Sequence, residues 1–161
     1  MAIKKNRNKD KRNNIKICLI SSSGGHYEQL KMLKPLEEKY SVFWITEKTD
    51  YFSHADYFLL QTGMKDKFYL IKTIINFIKT VYIWIKEKPD YIVTTGTMVV
   101  FPMAFLAKLS GKKFIYIETF ARVYDGTKAG KILYKYADLF IIQWESLKEI
   151  YPNAVYGGSI Y

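Results

Sequence analysis

The feature that most constrains this chain is the alternation of short, continuously apolar runs with longer segments of helical periodicity. The apolar runs are residues 15–21, 42–46, 57–61, 91–95, 114–118 and 139–143. The helical segments are residues 27–38, 68–86, 99–109, 128–136 and 145–151. A strand that is apolar on both faces is covered by helices on both sides of its sheet. The alternation therefore predicts an α/β domain built on a parallel, doubly wound sheet.

The length of the chain, 161 residues, fits one domain with a single hydrophobic core. We expect this domain to span residues 15–161, behind a basic, flexible tail at residues 1–14. Hydrophobic residues make up 49% of the sequence, which excludes disorder for most of it. The single cysteine, Cys18, lies inside the first apolar run, so we predict core packing and no internal disulfide.

The net charge of +10 favours anionic partners such as phosphates or an acidic membrane surface. Seven basic residues and one acidic residue lie in the first sixteen positions. They form either a solvated tail or a segment attracted to anionic lipid, at about 1 kcal/mol per basic residue. No apolar h-region follows the tail before the first strand, so the tail is not a signal peptide. The longest uncharged apolar stretch, residues 98–107, is too short to cross a bilayer. We therefore predict a protein that is cytosolic or lies on a membrane without crossing it.

A parallel sheet builds its binding site at the carboxyl ends of its strands. The segments that directly follow the predicted strands are residues 22–26, 47–50, 95–97 and 118–122, and Trp144. These segments are scattered along the sequence, but the predicted sheet brings them to one edge. The candidate site residues are therefore sought there.

The loop at residues 21–26 reads Ser-Ser-Ser-Gly-Gly-His and joins the first strand to the first helix. Paired glycines let the backbone approach a ligand, and free N–H groups at a helix start can bind an anion or a sugar. Ser23, Gly24 and Gly25 are thus candidate substrate-binding residues, with a tight turn capped by Ser23 as the alternative. His26 lies at the mouth of this loop, where a neutral imidazole can remove a proton from a hydroxyl. A purely structural histidine is the alternative reading.

Glu118 ends the fifth strand, and a carboxylate rarely ends an apolar strand without a partner. We predict that Glu118 is exposed at the site edge, where it acts as a general base or binds sugar hydroxyls. Arg122 would then bind a phosphate, for which its planar guanidinium is suited. The alternative is a helix cap or an ion pair between these two side chains. Gly96 and Thr97 form a second small-residue turn, which either admits a ligand or merely turns the backbone.

The predicted helix at residues 68–86 carries more apolar surface than a core-facing helix needs. Its polar residues fall on one narrow stripe, namely Lys72, Asn76, Lys79, Thr80 and Lys86. The remaining apolar arc exceeds half of the circumference. The excess predicts insertion into a membrane interface or contact with a partner protein, with burial alone as the alternative. The residues expected at the level of the lipid headgroups are Lys72, Lys79, Tyr82 and Trp84.

The sequence contains no pattern typical of a metal or cofactor site. It has no Asp-x-Asp pair, no Cys/His cluster with ligand spacing, no G-x-G-x-x-G, no P-loop lysine and no nucleophile elbow. We therefore predict no metal and no cofactor. Glu47 does follow the second strand, where a ribose-binding acid would lie, so a nucleotide-cofactor-binding enzyme is a weaker alternative. The basic charge would allow a nucleic-acid-binding module, but no recognised motif supports one, and we predict no nucleic-acid partner.

Several of these stretches together resemble a known family. The glycine loop at residues 21–33 is similar to that of glycosyltransferases that act on lipid-linked acceptors. The closer match is to the small subunits of split enzymes in that superfamily. These are the membrane-anchoring subunit of the dolichol-diphosphate N-acetylglucosaminyltransferase and its bacterial relatives in capsule and exopolysaccharide synthesis. The other stretches that carry the resemblance are residues 94–96, 116–122 and 130–151, with Gln143-Trp144 as the most specific part.

This resemblance implies a single Rossmann-like domain equivalent to the N-terminal half of a GT-B glycosyltransferase. In such a split enzyme this half binds the membrane and the acceptor, and a partner subunit binds the UDP-sugar. The resemblance thus implies a peripheral protein at the cytoplasmic face of the plasma membrane. The implied reaction passes a sugar to a polyprenyl-diphosphate-linked saccharide with inversion, and His26 or Glu118 removes the acceptor proton. Arg122 and the glycine loop would hold the diphosphate or the transferred group. A non-catalytic membrane adaptor that activates its partner is the alternative.

Overall fold

The computed structural model describes residues 14–50, 54–63 and 66–161. Its strands are β1 Lys16–Ser21, β2 Ser41–Lys48, β3 Tyr57–Leu60, β4 Tyr91–Gly96, β5 Lys113–Ile117, β6 Leu139–Ile142 and β7 Val155–Tyr156. They pair in parallel in the order β3-β2-β1-β4-β5-β6-β7. The predicted α/β domain with a parallel sheet is confirmed. The predicted basic tail lies outside the described residues apart from Asn14.

The helices are α1 Gly25–Lys31, α2 Tyr69–Glu87, α3 Phe101–Leu109 and α4 Lys128–Leu133. Three 3-10 helices cover Lys34–Glu38, Met98–Val100 and Glu145–Glu149. The prediction of one helix over residues 27–38 is wrong, because α1 ends at Lys31 and a separate 3-10 helix begins at Lys34 with Pro35 in its first turn. A proline inside an α-helix would remove a hydrogen bond and clash with the preceding turn. The two-residue strand β7 was not predicted, since it is too short to show a periodicity.

Hydrophobic clusters cover both faces of the sheet. One cluster lies beneath α2 and α3 and includes Ile20 and Ile45 from the sheet. The other lies beneath α1 and includes Leu19 and Leu30. Cys18 is a free, fully buried thiol in the first cluster, as predicted, and burial raises its pKa.

The order of the strands reverses between β1 and β4, which are neighbours in the sheet. The chain leaves β1 into α1 on one face and leaves β4 toward α3 on the other face. Such a reversal opens a crevice at the carboxyl ends of the two strands. A backbone hydrogen bond of 2.9 Å from Ser22 N to Gly96 O joins the two loops at this crevice.

The long helix α2 turns its polar stripe inward and most of its apolar arc outward. Its buried residues are Asn76, Thr80 and Ile83. The Asn76 side chain pairs with both backbone groups of Leu60, accepting from N at 2.7 Å and donating to O at 2.8 Å. Because β3 is an edge strand, its outer backbone groups need such partners. The polar stripe therefore satisfies the edge strand, and the apolar arc stays at the surface.

In this orientation three of the four residues expected at the level of the headgroups make contacts within the protein, and their position at a membrane stays a prediction. Lys79 Nζ lies 3.4 Å from the carbonyl oxygen of Phe58 in β3, and Lys72 forms an ion pair with an aspartate just before the helix. Both lysines belong to the polar stripe, so they extend toward the edge strand. Trp84 is half-buried and packs against the core, whereas Tyr82 is exposed. Within the described ranges, no helix is both long enough and apolar enough to span a bilayer.

Candidate functional site

The glycine loop leaves the backbone open to the outside. Gly24 has a φ of +76°, in the left-handed region that favours glycine, and it caps α1 in place of Ser23. A Cβ built on Gly24 or Gly25 would meet no atom within 4 Å. Gly25 has no positive φ, so neither its backbone nor its packing requires a glycine. The glycine at this position leaves the backbone open to the close approach of a ligand.

Glu47 anchors this loop from below. Its buried carboxylate accepts hydrogen bonds from Ser23 N at 3.2 Å, from Ser23 Oγ at 3.3 Å and from Thr62 N at 3.3 Å. Both carboxylate oxygens are therefore used within the protein. This geometry favours a positioning role for Glu47 over the binding of a cofactor ribose.

His26 lies half-buried where the β1 and β4 loops meet. Its Nδ1 is 2.6 Å from the carbonyl oxygen of Thr95, and Thr95 Oγ1 donates to the His26 carbonyl oxygen at 2.6 Å. A carbonyl oxygen only accepts hydrogen bonds, so Nδ1 carries a proton, and in the neutral imidazole the lone pair is then on Nε2. No hydrogen bond to Nε2 comes from the described part of the chain. The arrangement leaves this nitrogen available as an acceptor for a substrate proton.

The second small-residue turn supports the first. Gly96 has a φ of +101°, and a Cβ there would lie 3.0 Å from Tyr116 Oη and 3.5 Å from the His26 ring. Glycine is thus required at this position by both backbone and packing. Thr97 Oγ1 donates to Ser22 Oγ at 3.2 Å. The structure therefore brings His26, Gly96, Thr97 and the glycine loop together at one crevice.

Glu118 is not exposed at this edge, and that prediction is wrong. The side chain is fully buried, and its oxygens accept from Thr119 N at 2.9 Å, from Thr127 N at 3.1 Å, from Thr127 Oγ1 at 3.0 Å and from Tyr151 Oη at 2.8 Å. The loop after β5 folds back over the carboxylate and supplies most of these donors. Protein donors on every side favour a positioning role for Glu118 over that of a base.

Sequence reasoning missed the partners of Glu118. Burial, together with the Glu118 charge, raises the pKa of Tyr151, so its hydroxyl stays protonated and donates. A Cβ on Gly130 would lie 2.2 Å from Glu118 Oε2, and one on Gly126 would lie 2.0 Å from Tyr151 Oη. The available signal was Gly130, because a glycine inside a helix costs about 0.5–1 kcal/mol relative to alanine and implies a packing reason.

Arg122 lies apart from Glu118, so the alternative of an ion pair between them is also wrong. Its guanidinium is half-exposed and lies 3.5 Å from Asp125. The loop that carries Arg122 is fixed by Trp144, whose Nε1 donates to Phe120 O at 2.7 Å. Gln143 Nε2 donates to the Glu118 carbonyl oxygen at 2.9 Å. The Gln143-Trp144 pair therefore positions the β5 loop.

The described residues contain no group of three His, Cys, Asp or Glu side chains arranged to bind a metal ion. The polar groups that converge on the crevice are an imidazole, hydroxyls and backbone amides. Such groups can bind a polar ligand and accept a proton from it.

Comparisons with known proteins point to one family. A family model described as "Oligosaccharide biosynthesis protein Alg14 like" matches residues 67–160. The human UDP-N-acetylglucosamine transferase subunit ALG14 is 30% identical to the chain over 182 residues, which covers 92% of this chain and 84% of the human protein. This alignment extends well beyond the glycine loop.

Solved structures share the fold at low sequence identity. MurG from Acinetobacter baumannii superposes with a TM-score of 0.65 at 15% identity, covering 82% of this chain and 42% of MurG. The UDP-GlcNAc 2-epimerase from Neisseria meningitidis superposes with a TM-score of 0.68 at 13% identity, covering 91% of this chain and 47% of the epimerase. The chain thus spans less than half the length of these structures. The predicted Rossmann-like half of a GT-B fold is confirmed.

Proposed function

The chain belongs to the Alg14 family of oligosaccharide biosynthesis proteins, and from this premise we propose that it is the acceptor-binding subunit of a two-chain glycosyltransferase. Its human relative is named as a UDP-N-acetylglucosamine transferase subunit. In the proposed reaction, a sugar passes from a UDP-sugar on a partner subunit to a polyprenyl-diphosphate-linked saccharide. The product would serve lipid-linked oligosaccharide, capsule or exopolysaccharide synthesis.

The observation that carries this proposal is the fixed tautomer of His26 beside an open backbone. Because Nδ1 is bound to the Thr95 carbonyl oxygen at 2.6 Å, Nε2 can take the proton from the acceptor hydroxyl. The hydroxyl oxygen then bonds to the anomeric carbon, and the bond from that carbon to UDP breaks. UDP leaves with the bonding electron pair. Attack from the opposite face inverts the anomeric centre.

The neighbouring groups have matching roles in this proposal. The open backbone at Gly24 and Gly25, with Ser23 and Thr97 beside it, binds the acceptor sugar. Arg122 is half-exposed on the β5 loop, and its guanidinium would bind a phosphate of the UDP-sugar. The partner subunit binds the rest of the UDP-sugar.

The isolated chain is expected to show no transferase activity, because the proposal assigns the UDP-sugar to the partner subunit. The test is a radiolabelled transfer assay with UDP-N-acetylglucosamine and a prenyl-diphosphate-linked acceptor, run with the chain alone and with the pair. Turnover by the pair and none by the chain would support the proposal. Turnover by the chain alone would contradict the split.

Membrane association is proposed through the outer face of α2 and the adjoining face of α3. The large exposed apolar side chains of this surface are Leu70, Ile71, Ile74, Ile78, Tyr82, Ile85, Phe105 and Leu109. Leu70 alone is 73% exposed. A contiguous apolar surface of this kind is typical of a membrane or protein interface. The basic tail would add attraction to anionic headgroups.

Replacing Ile74, Ile78 and Ile85 together with glutamine is expected to lower binding to anionic vesicles by at least about tenfold. Burying one such side chain contributes about 1.5–3 kcal/mol, and 1.4 kcal/mol is tenfold in affinity. Co-sedimentation with phosphatidylglycerol-containing vesicles measures the effect, with Ile132→Gln on α4 as the control. Deleting residues 1–13 should weaken binding and flatten its salt dependence. Wild-type binding by the triple variant would contradict a membrane role for α2.

The alternative is a non-catalytic membrane adaptor that activates its partner. The exposed apolar face of α2 supports both functions equally. The two proposals differ only in whether His26 takes part in the reaction.

A further inference from the structure

Two cavities adjoin each other at the carboxyl edge of the sheet. The first is a polar cleft of about 540 Å³ between the ends of β2 and β3 and the start of α2. Its polar wall includes two lysines and two aspartates with neutral polar residues between them, namely Lys48, Lys72, Asp50, Asp66, Gln61 and Thr62. These side chains and backbone groups can bind a polar or anionic group.

The second cavity is an apolar groove of about 360 Å³ between α2 and α3. Its wall includes Tyr69, Phe77, Met98, Phe101 and Phe105. Met98 and Phe105 are 50% and 57% exposed, so the groove is continuous with the exposed apolar surface. An apolar chain in this groove can therefore pass directly into the surface proposed to contact the bilayer.

Thr62 lines both cavities, and the first turns of α2 separate them. Lys72 lines the cleft, and Thr73 lines the groove. Thr62 N donates to the Glu47 carboxylate that also fixes Ser23, and Met98 directly follows Thr97. A polar cleft and an apolar groove therefore meet beside the proposed acceptor site.

We propose that this pair of cavities binds the lipid end of the acceptor, with the first isoprene units in the groove and the diphosphate in the cleft beside Lys48. This inference rests on the proposed function and adds the place where the prenyl chain binds. A prenyl diphosphate consists of an anionic head joined to a branched apolar chain. The head matches the polar cleft, and the chain matches the apolar groove beside it. The sugar attached to the diphosphate then lies toward the glycine loop.

The charges in the cleft point to Lys48 as the main phosphate ligand. Lys72 forms an ion pair with Asp66, so its charge is partly neutralised. Lys48 forms no ion pair with a residue that the structure describes, and its side chain is exposed at the end of β2. A lysine ammonium with free donors is suited to a phosphate oxygen.

Binding of farnesyl diphosphate to the isolated chain tests the inference without a partner or a sugar. Methyl NMR of ¹³C-labelled methionine reports the groove through Met98, and Met32, exposed on α1's side of the sheet, is the internal control. Farnesyl diphosphate is expected to shift the Met98 signal and leave Met32 unchanged. Inorganic pyrophosphate should bind at least about tenfold more weakly and leave Met98 unchanged.

Two matched pairs of variants separate the groove from the cleft. Thr73→Trp fills the groove from an exposed position and should weaken farnesyl diphosphate at least about tenfold, with pyrophosphate binding unchanged. Ile132→Trp, at an exposed position on α4, should change neither. Lys48→Ala should weaken both ligands, whereas Lys108→Ala, at the opposite end of α3, should weaken neither.

An unmoved Met98 signal, or equal binding of farnesyl diphosphate to wild type and Thr73→Trp, would overturn the inference. Equal affinity for dodecyl phosphate would also overturn it, because the groove would then accept any alkyl chain. If the pair transfers sugar but Thr73→Trp binds farnesyl diphosphate as wild type does, the proposed function stands and the groove is not the prenyl site. If the chain binds farnesyl diphosphate as expected but the pair transfers no sugar, the groove is a prenyl site and the proposed function is wrong.

Discussion

Replacing His26 with glutamine is expected to lower the turnover of the reconstituted pair by about 10²–10⁴-fold, the usual contribution of a general base. Glutamine approximates the length of the imidazole as far as Nε2, and the hydrogen bond that it gives up is the one from Nδ1 to the Thr95 carbonyl oxygen, 2.6 Å long in the wild-type chain. It cannot accept a proton at the position of Nε2. The change therefore removes the chemistry and keeps most of the local structure.

The measurement is kcat of the pair together with the thermal midpoint of the variant chain. His54→Gln is the matched control, since His54 is the second of two histidines in the sequence and is exposed away from the crevice. We expect the control to keep turnover within about twofold, the usual range for a surface substitution. Near-normal turnover of His26→Gln would leave the non-catalytic adaptor as the better proposal. A loss of turnover with an unchanged midpoint would support catalysis.

Replacing Glu118 with glutamine is expected to destabilise the fold by about 3 kcal/mol, mainly because a buried donor then faces other donors. Thr127 Oγ1 and Tyr151 Oη lie 3.0 Å and 2.8 Å from the Glu118 oxygens in the wild-type chain. The amide NH₂ of glutamine cannot accept from either hydroxyl. For a domain of this size, such a loss lowers Tm by about 6–12 °C.

Thermal unfolding of Glu118→Gln is the measurement, and Glu145→Gln, at an exposed position, is the matched control. The control should leave Tm within about 2 °C of wild type. The expected pattern for Glu118→Gln is a large fall in Tm, with turnover of the remaining folded protein reduced much less than in His26→Gln. An unchanged Tm with a hundredfold loss of turnover would restore Glu118 as the base.

These two variants assign different roles to two residues that the sequence presents in the same way. Both follow an apolar strand, and both reach the carboxyl edge of the sheet. Only their surroundings differ, since His26 is fixed through one nitrogen and Glu118 is enclosed by donors from the loop after β5 and from Tyr151. Proton transfer requires an accessible lone pair, and the structure leaves one on His26.

The hydrophobic pattern and local spacing were enough to predict the sheet, the edge at which the candidate site lies, and the glycine loop with His26. Successive side chains of a strand point to opposite faces of its sheet, so a strand that is apolar at every position has both faces covered by helices. The paired glycines and the histidine lie within a few residues of each other, so their proximity is local and visible in the sequence. Gly96 and Thr97 join them because adjacent strands in a parallel sheet end at the same edge.

The burial of Glu118 and the orientation of α2 depend on contacts between elements that are far apart in the sequence. The donors that enclose Glu118 include Thr127 and Tyr151, 9 and 33 residues away in sequence, and no local pattern reports contacts at such separations. The periodicity of α2 shows that one side is polar but not which side faces the core. That choice depends on Asn76 meeting the unpaired backbone of Leu60 in the edge strand β3. From the hydrophobic pattern alone, the polar side of α2 would be expected to face solvent. It faces β3 instead, because the backbone N–H and C=O groups of this edge strand need hydrogen-bond partners.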